Sequence, residues 1–578
     1  MATTTQRDLT GGGGSSQVSL NHSAGIHSSP SKEKHFSHAE INEVTKLEQN
    51  HGQLKDFSML AMVGLAYAIL NSWVAMAASL SLSLPSGGPV ATLWGLIVSF
   101  LGNLAMAASM AEIAHVYPTS GGPYHWSAIL APAGAANYVS WVTGWFAVAG
   151  WTALTATTGS LAGELLLGAY SLAHPGFESQ PYQTFIIYAG YICLATVINI
   201  WGSRLLPLVN SAAIIWSLSG AVIVIIVTLA TAGANGNNFQ SADFVFRTFL
   251  NESGWNNGVA WILGLLQSSF GLIGLDALSH MVEEVPQPHL NIPKAMIWAV
   301  CIGASSSFVV LMVLLFVMND YDAVVSSSAG ALLEILYQAT GNTAGAICLQ
   351  IFPIVAMEFA AQGILCCAGR MTHSFARDRG LPFSTFFAKC NPATGIPERS
   401  IWLTSSLVII FGLIYLGSSS ALNAILSSSV VFLNISYCIP VALLVFRGRQ
   451  LLEPESFPVR TWTLGRFLGP LANIVALAFT SFTTVFFLFP PVRPVTGSNM
   501  NYAIAVLAFA TIVSILTWIF QGRKTFTGPR DLGALLELAR VQVDGGDVRP
   551  TCSRRDSQSR SRATSHARQT VENEPKTV

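Results

Sequence analysis

Ser268-Ser269-Phe270-Gly271-Leu272-Ile273-Gly274-Leu275-Asp276-Ala277 is the stretch that decides how this chain folds. It lies inside a longer apolar run, 257–281. Two glycines in the middle of such a run invite a helix to unwind, and an aspartate follows at once. Lipid offers no partner for free backbone groups, so a broken helix is tolerated only beside protein or a water-filled cavity. An acid at membrane depth is costly and by default marks a pathway or a proton relay. A second irregular stretch stands far upstream. There Leu70-Asn71-Ser72-Trp73 is followed by Ala, Ser and Leu residues up to Pro85-Ser86-Gly87-Gly88-Pro89.

The rest of the chain supplies the membrane. Of 578 residues, 51% are hydrophobic and only 10% charged, against about 25% charged in a soluble domain. Mean hydropathy is +0.51. These values exclude a soluble protein of this size and a chain disordered throughout. The formal net charge is zero, which gives no basis for nucleic-acid binding. Apolar segments, each able to span roughly 30 Å of hydrocarbon, recur near 59–84, 91–116, 137–168, 183–201, 206–231, 257–281, 293–318, 344–368, 400–417, 421–446, 467–489 and 501–521. The expected class is an all-α polytopic membrane protein with about twelve transmembrane helices. The two breaks fall in segments one and six, matching members of two five-helix halves. Paired interrupted helices of this kind point to a transporter site; packing of small residues between helices is the rival explanation.

Three regions follow: a polar Gly/Ser/His-rich tail (1–56), the helical domain (57–521) and a Ser/Arg-rich tail (522–578). Both tails are expected to be disordered. The polar start gives no signal-peptide pattern. With the N-tail in the cytoplasm, short inner loops carry Arg204, Lys294, Arg370, Arg377, Arg379, Lys389, Arg399, Arg447, Arg449, Arg460 and Arg466. Outer loops carry only Arg247 and Arg493. That bias fits the positive-inside rule and predicts two cytoplasmic termini. Most of the eight cysteines lie in apolar runs, without Cys-x-x-Cys or a ligand-spaced histidine pair, so no metal or cofactor is expected. No catalytic constellation is present, and an enzyme is not expected.

The breaks supply the candidate substrate-binding residues: Asn71, Ser72, Trp73, Phe270, Gly271 and Gly274. A quaternary ammonium has no hydrogen to donate and is recognised by aromatic faces, which draws notice to Trp73 and Phe270. Asp276 is the first proton-coupling candidate, because removal from water disfavours its charge. It could instead pair with a cationic amine or serve as a structural cap. His280 stands one turn on, as a proton partner or a satisfied interface histidine. Glu358, with Gln362 one turn on, is the second intramembrane acid and proton-coupling candidate. Glu112 reads as a loop anchor. Asn251-Glu252-Ser253 is a glycosylation sequon in an expected outer loop.

Several motifs resemble one known superfamily. Ser120-Gly121-Gly122-Pro123-Tyr124-His125-Trp126 is similar to the cytoplasmic signature of the amino acid–polyamine–organocation superfamily. Residues 270–277 resemble its sixth-helix motif. Glu284-Val285-Pro286 with Pro288, Ile292-Pro293-Lys294-Ala295, and Ala376-Arg377-Asp378-Arg379-Gly380-Leu381-Pro382 resemble its later loops. Asn71-Ser72-Trp73 stands in place of the usual Gly-Ser-Gly. With Ser86-Gly87-Gly88-Pro89, it looks most like the fungal amino acid/choline transporter branch, which includes γ-aminobutyrate and choline permeases. The resemblance implies a 5+5 inverted repeat plus two peripheral helices. It also implies secondary transport of a small amine or amino acid, coupled to a proton or other monovalent cation. The expected protein is thus a permease for choline, γ-aminobutyrate or a related compound, set in a lipid bilayer, with the plasma membrane as its expected home and a vacuolar or other internal membrane as the alternative. An exporter of an amine-type specialised metabolite and a non-transporting nutrient sensor are the alternatives.

Overall fold

The computed structural model describes residues 66–529, apart from residues 178, 203–204, 237–238, 283–284, 286, 393, 418–419, 453–461 and 527. The expectations for the N-tail, for the C-tail beyond residue 529 and for Glu284 and Pro286 lie outside the described residues.

Twelve helical segments follow one another: α1 (Ala66–Ala78), α2 (Gly88–Val116), α3 (Ala136–Ala173), α4 (Pro181–Ile200), α5 (Leu206–Ala234), α6 (Asn257–Phe270), α7 (Pro288–Val317), α8 (Thr343–Arg377), α9 (Glu398–Gly412), α10 (Ala421–Arg447), α11 (Gly465–Phe486) and α12 (Ala503–Thr517). Each matches one of the expected segments. Among the described residues, nine of them are long and apolar enough to cross a membrane. The other three are α1, α3 and α6. The break ends α6 early, α1 is described only from Ala66 onward, and α3 has length to spare at 38 residues but is diluted by Gly, Ser and Thr. There is no strand among the described residues. A single antiparallel bridge, Ser86–Asn251, pins the α1–α2 turn to the chain before α6.

Local sequence sets the helix ends. Asn256 and Asn342 accept hydrogen bonds from the first backbone amides of α6 and α8, and Gln180 and Gln183 form a capping box with Pro181 opening α4. Such caps satisfy amide groups that a helix start leaves free. At the α9–α10 turn the helix tightens into a 3₁₀ turn at Leu413–Leu416 before α10 begins. This separates two segments that hydropathy alone could fuse.

Packing follows the apolar pattern. α3 is central and touches α4, α8, α9 and α10; α1 lies against α6, α7 and α8. In α8, 67% of the most apolar window is buried, and in α12 only 11%. α8 is therefore a core helix and α12 a peripheral one whose side chains meet lipid. Between α2 and α3 a short helix, Pro123–Leu130, folds back beneath the bundle.

Candidate functional site

The two breaks meet. α1 is interrupted at Asn71, which takes a left-handed conformation (φ 41°, ψ 45°), one that asparagine tolerates better than most residues. α6 ends at Phe270, and the chain runs unwound to a 3₁₀ turn at Ala277–Met281. Gly274 holds φ at +91° there, where a side chain would be strained.

Between α1, α3, α6 and α8 lies a small cavity lined by residues including Asn71, Leu154, Thr158, Phe270, Ile273 and Met357. Its space for the centre of a water molecule is about 10 Å³, the room of about one water. The site is closed in this conformation, and a substrate needs the helices to part. A second cavity of similar size lies beside it against α7 and touches Gly274, Leu275 and Ala277.

Asn71 stitches the break in place. Its Nδ2 donates to the Ala356 carbonyl of α8 at 3.0 Å, and its Oδ1 accepts from Ser217 Oγ of α5 at 2.9 Å. Trp73 is fully buried, and its Nε1 donates to the Ser217 carbonyl and hydroxyl at 3.0 and 2.9 Å. Its ring lines neither of the two cavities. Ser72 is buried and turned to α7, where its Oγ fills the space beside Gly303. Gly271 backs onto Met76. Gln267, which sequence reasoning passed over, crosses from α6 to donate to the Met76 carbonyl at 2.6 Å.

Asp276 is wholly buried. Its Oδ1 accepts from the Tyr437 hydroxyl of α10 at 2.5 Å. Its Oδ2 lies 2.9 Å from His280 Nε2 and accepts from Trp151 Nε1 of α3 at 3.4 Å. The broken α6 is thus joined at one carboxyl to α3 and α10. The structure places Glu358 elsewhere. Both of its carboxyl oxygens are buried with no hydrogen-bond partner, and it does not line the cavity, whereas Met357 and Ala360 of the same helix do. The amide of Gln362 is likewise buried and unpartnered.

A second polar cluster lies where the 117–130 segment meets the end of α8. Asp378, at the end of α8, accepts from His125 Nε2 and Tyr124 OH, each at 2.8 Å. Burial pushes the His125 imidazole below its ordinary range, against the pull of the Asp378 carboxylate. Burial also works against the Asp378 charge, but His125, Arg377 and Tyr124 together hold its carboxyl below the usual range. Neutral His125 therefore donates to an ionised Asp378.

Glu112 is a buried anchor at the end of α2. It accepts from Arg449, from Thr463 Oγ1 at 3.0 Å and from the Leu464 amide at 3.2 Å. At the opposite end, Asn251 Nδ2 donates to the Trp255 carbonyl and to Asn257 Oδ1 at 2.8 and 3.0 Å, while Ser253 of the sequon is buried. A glycan at Nδ2 would replace one of those two hydrogens.

A bundle with two broken helices facing one closed cavity, and a buried acid at the break, defines a membrane-embedded carrier. The amino acid permease family matches residues 57–510, and the chain belongs to that family, within the amino acid–polyamine–organocation superfamily. It is 35% identical over 477 residues to a choline transporter of Saccharomyces cerevisiae, covering 82% of each chain. It is 34% identical to a putative amino acid/polyamine transporter of Macrophomina phaseolina, covering 77% of this chain and 97% of that one. A swainsonine transporter of Arthroderma benhamiae is 31% identical, with 82% of this chain and 92% of that one covered.

Proposed function

We propose that this permease is a secondary active transporter that imports a small amine or amino acid, such as choline or γ-aminobutyrate, with a coupling proton. The observation that carries this reading is the meeting of the α1 and α6 breaks at one closed cavity, with Asp276 buried on the broken α6 between Leu275 and Ala277, which line the neighbouring cavity while Asp276 itself lines neither. Substrate binds between α1, α3, α6 and α8. Asn71 and Thr158 supply the polar contacts, and Phe270 supplies a ring face. The other lining residues named above are apolar, which suits a methylated ammonium: it needs no hydrogen-bond acceptor and is attracted to an aromatic face. The 35% likeness to a choline transporter supports the same class.

Asp276 is the proposed proton carrier. Glu358 is a further proton site, since its two buried carboxyl oxygens have no hydrogen-bond donor in the structure and burying an unpaired charge is costly. The coupling step draws on the membrane potential, worth about 2.3 kcal/mol per charge per 100 mV. Both termini are placed in the cytoplasm, and the plasma membrane is the proposed home.

Uptake of labelled choline, γ-aminobutyrate and several amino acids in a transport-deficient host tests the reading. Accumulation that collapses when the proton gradient is removed supports it. Binding without flux points to a sensor instead. The likeness to a swainsonine transporter favours one second reading, export of an amine-type specialised metabolite. In sealed inside-out vesicles that reading predicts net movement into the lumen.

A further inference from the structure

The two buried His–Asp pairs differ in their proton count. At His125, Nε2 points to Asp378 and Nδ1 has no hydrogen-bond partner. A neutral imidazole with its hydrogen on Nε2 satisfies that pair. At His280, Nδ1 lies 3.0 Å from the Ser120 carbonyl oxygen. A carbonyl only accepts, so Nδ1 carries hydrogen. The other nitrogen, Nε2, lies 2.9 Å from Asp276 Oδ2. In a neutral ring held this way Nε2 is a bare lone pair, and an ionised Oδ2 would set two acceptors face to face. One further hydrogen must lie between them, either as a carboxylic acid donating to Nε2 or as an imidazolium donating to a carboxylate.

We infer that His280 is a positioning residue that holds one exchangeable proton between itself and Asp276, and that this proton latches the broken α6 onto the Ser120–Gly122 turn. The inference rests on the transporter reading above. When the proton leaves to water, Oδ2 and Nε2 repel. His280 can then point a hydrogen at Asp276 only by moving it from Nδ1, which breaks the bond to Ser120. In that case the one hydrogen bond from the pair to the turn is lost, and α6 is free to part from it. Loss of the proton on one face thus becomes access from that face.

The surroundings are built for this. Gly122 has φ +54°, and a Cβ there would stand 3.3 Å from His280 Cε1 and 3.8 Å from Asp276 Oδ2. The positive φ at Gly122 and its close approach to the pair both favour glycine there. Arg377 Nη2 of α8 donates to Ser120 Oγ at 3.0 Å and fixes the turn from its other side. The groups that face the pair are Tyr437 and Trp151, from α10 and α3, with Cys367 of α8 donating to the Ala277 carbonyl. Beyond the turn stand Tyr124, His125 and Asp378.

Two measurements on the full chain test the latch. The first is ¹⁵N-histidine NMR in lipid nanodiscs, with the His280 signal taken from the difference between wild type and His280→Gln. The expected signal shows a hydrogen on Nδ1; a neutral ring carrying its hydrogen on Nε2 overturns the inference. The second uses ¹⁴C-labelled choline or γ-aminobutyrate in proteoliposomes. His280→Gln is expected to keep exchange of labelled for unlabelled substrate, while proton-driven accumulation falls at least tenfold and its pH dependence flattens. A wild-type pH profile in that variant overturns the inference, as does equal loss of exchange and accumulation in a variant of unchanged thermal stability. If the wild type moves neither compound nor any other tested amine, the transporter reading fails while the NMR result still decides the latch.

Discussion

The hydroxyl of Tyr437 stands 2.5 Å from Oδ1 of Asp276, and so joins α10 to the unwound part of α6. Both groups are buried, and the bond is short, as bonds to a carboxyl oxygen are. A hydrogen bond to a charged group is worth about 1.5–3 kcal/mol. Tyr437→Phe removes it without changing the ring. Coupled uptake is expected to fall about tenfold or more, equivalent to ~1.4 kcal/mol at 25 °C, with expression little altered. Asp276→Asn, which keeps shape but carries neither proton nor charge, is expected to lose coupled uptake altogether. Uptake by Asp276→Asn with unchanged pH and voltage dependence would move the coupling role to Glu358.

Topology gives a second test. Arg377, Arg447 and Arg449 converge at the end of the bundle that holds the 117–130 turn. Arg377 reaches Ser120, Arg447 donates to the Leu130 carbonyl at 2.7 Å and Arg449 pairs with Glu112. Arg493 lies at the other end, over the Trp255 ring. Positive loops stay on the cytoplasmic side. Protease added to sealed right-side-out cells should therefore spare both tails. Cleavage of one tail alone would mean an odd number of spans.

Glu112 and Arg449 make a stability prediction. Removing one partner of a buried pair leaves an uncompensated charge and costs about 3–5 kcal/mol. Arg449→Ala is expected to lower the melting temperature sharply in detergent. Adding Glu112→Gln to that variant should recover much of the loss, because no bare charge then remains. A double variant no more stable than Arg449→Ala would show that the Arg449 stem, and not its charge, holds the α10–α11 loop.

The helices were legible in the sequence because lipid imposes about twenty apolar residues per span. The breaks were legible because Asn71, Gly271 and Gly274 are residues that tolerate irregular backbone. Glu112 could be read as an anchor, since an acid at a buried helix end needs basic or amide partners, and the α10–α11 loop supplies both. Of the partners of Asp276, His280 was legible one turn on, but the two from other helices were not. Tyr437 is 161 residues away and Trp151 is 125, and no local pattern marks such contacts. The facing of Glu358 depended on helix phase. Met357 turns to the cavity, and one residue on is a rotation of about 100°, which a linear pattern shows only when the partner helices are known.

Trp73 separates two physical accounts of the α1 break. If a cationic head group stacked on its face, Trp73→Phe would keep part of the substrate affinity, and Trp73→Ala would lose about 0.5–2 kcal/mol. The geometry favours a different role. The indole Nε1 donates to both oxygens of Ser217, the Ser217 hydroxyl donates to Asn71, and Asn71 donates to the Ala356 carbonyl. That chain ties α1 to α5 and α8 at the turn where α1 breaks. Phenylalanine has no N–H to continue it, so Trp73→Phe loses the indole bonds to Ser217, at a cost of about 0.5–1.5 kcal/mol for each hydrogen bond. Phe and Ala variants are therefore expected to lose transport to a similar extent, and both should lower thermal stability even without substrate. Ser217→Ala, which removes the link to Asn71 while keeping the Ser217 carbonyl, should fall between them and the wild type. A graded loss of substrate affinity across Trp, Phe and Ala, with thermal stability unchanged, would instead return the Trp73 ring to the binding site.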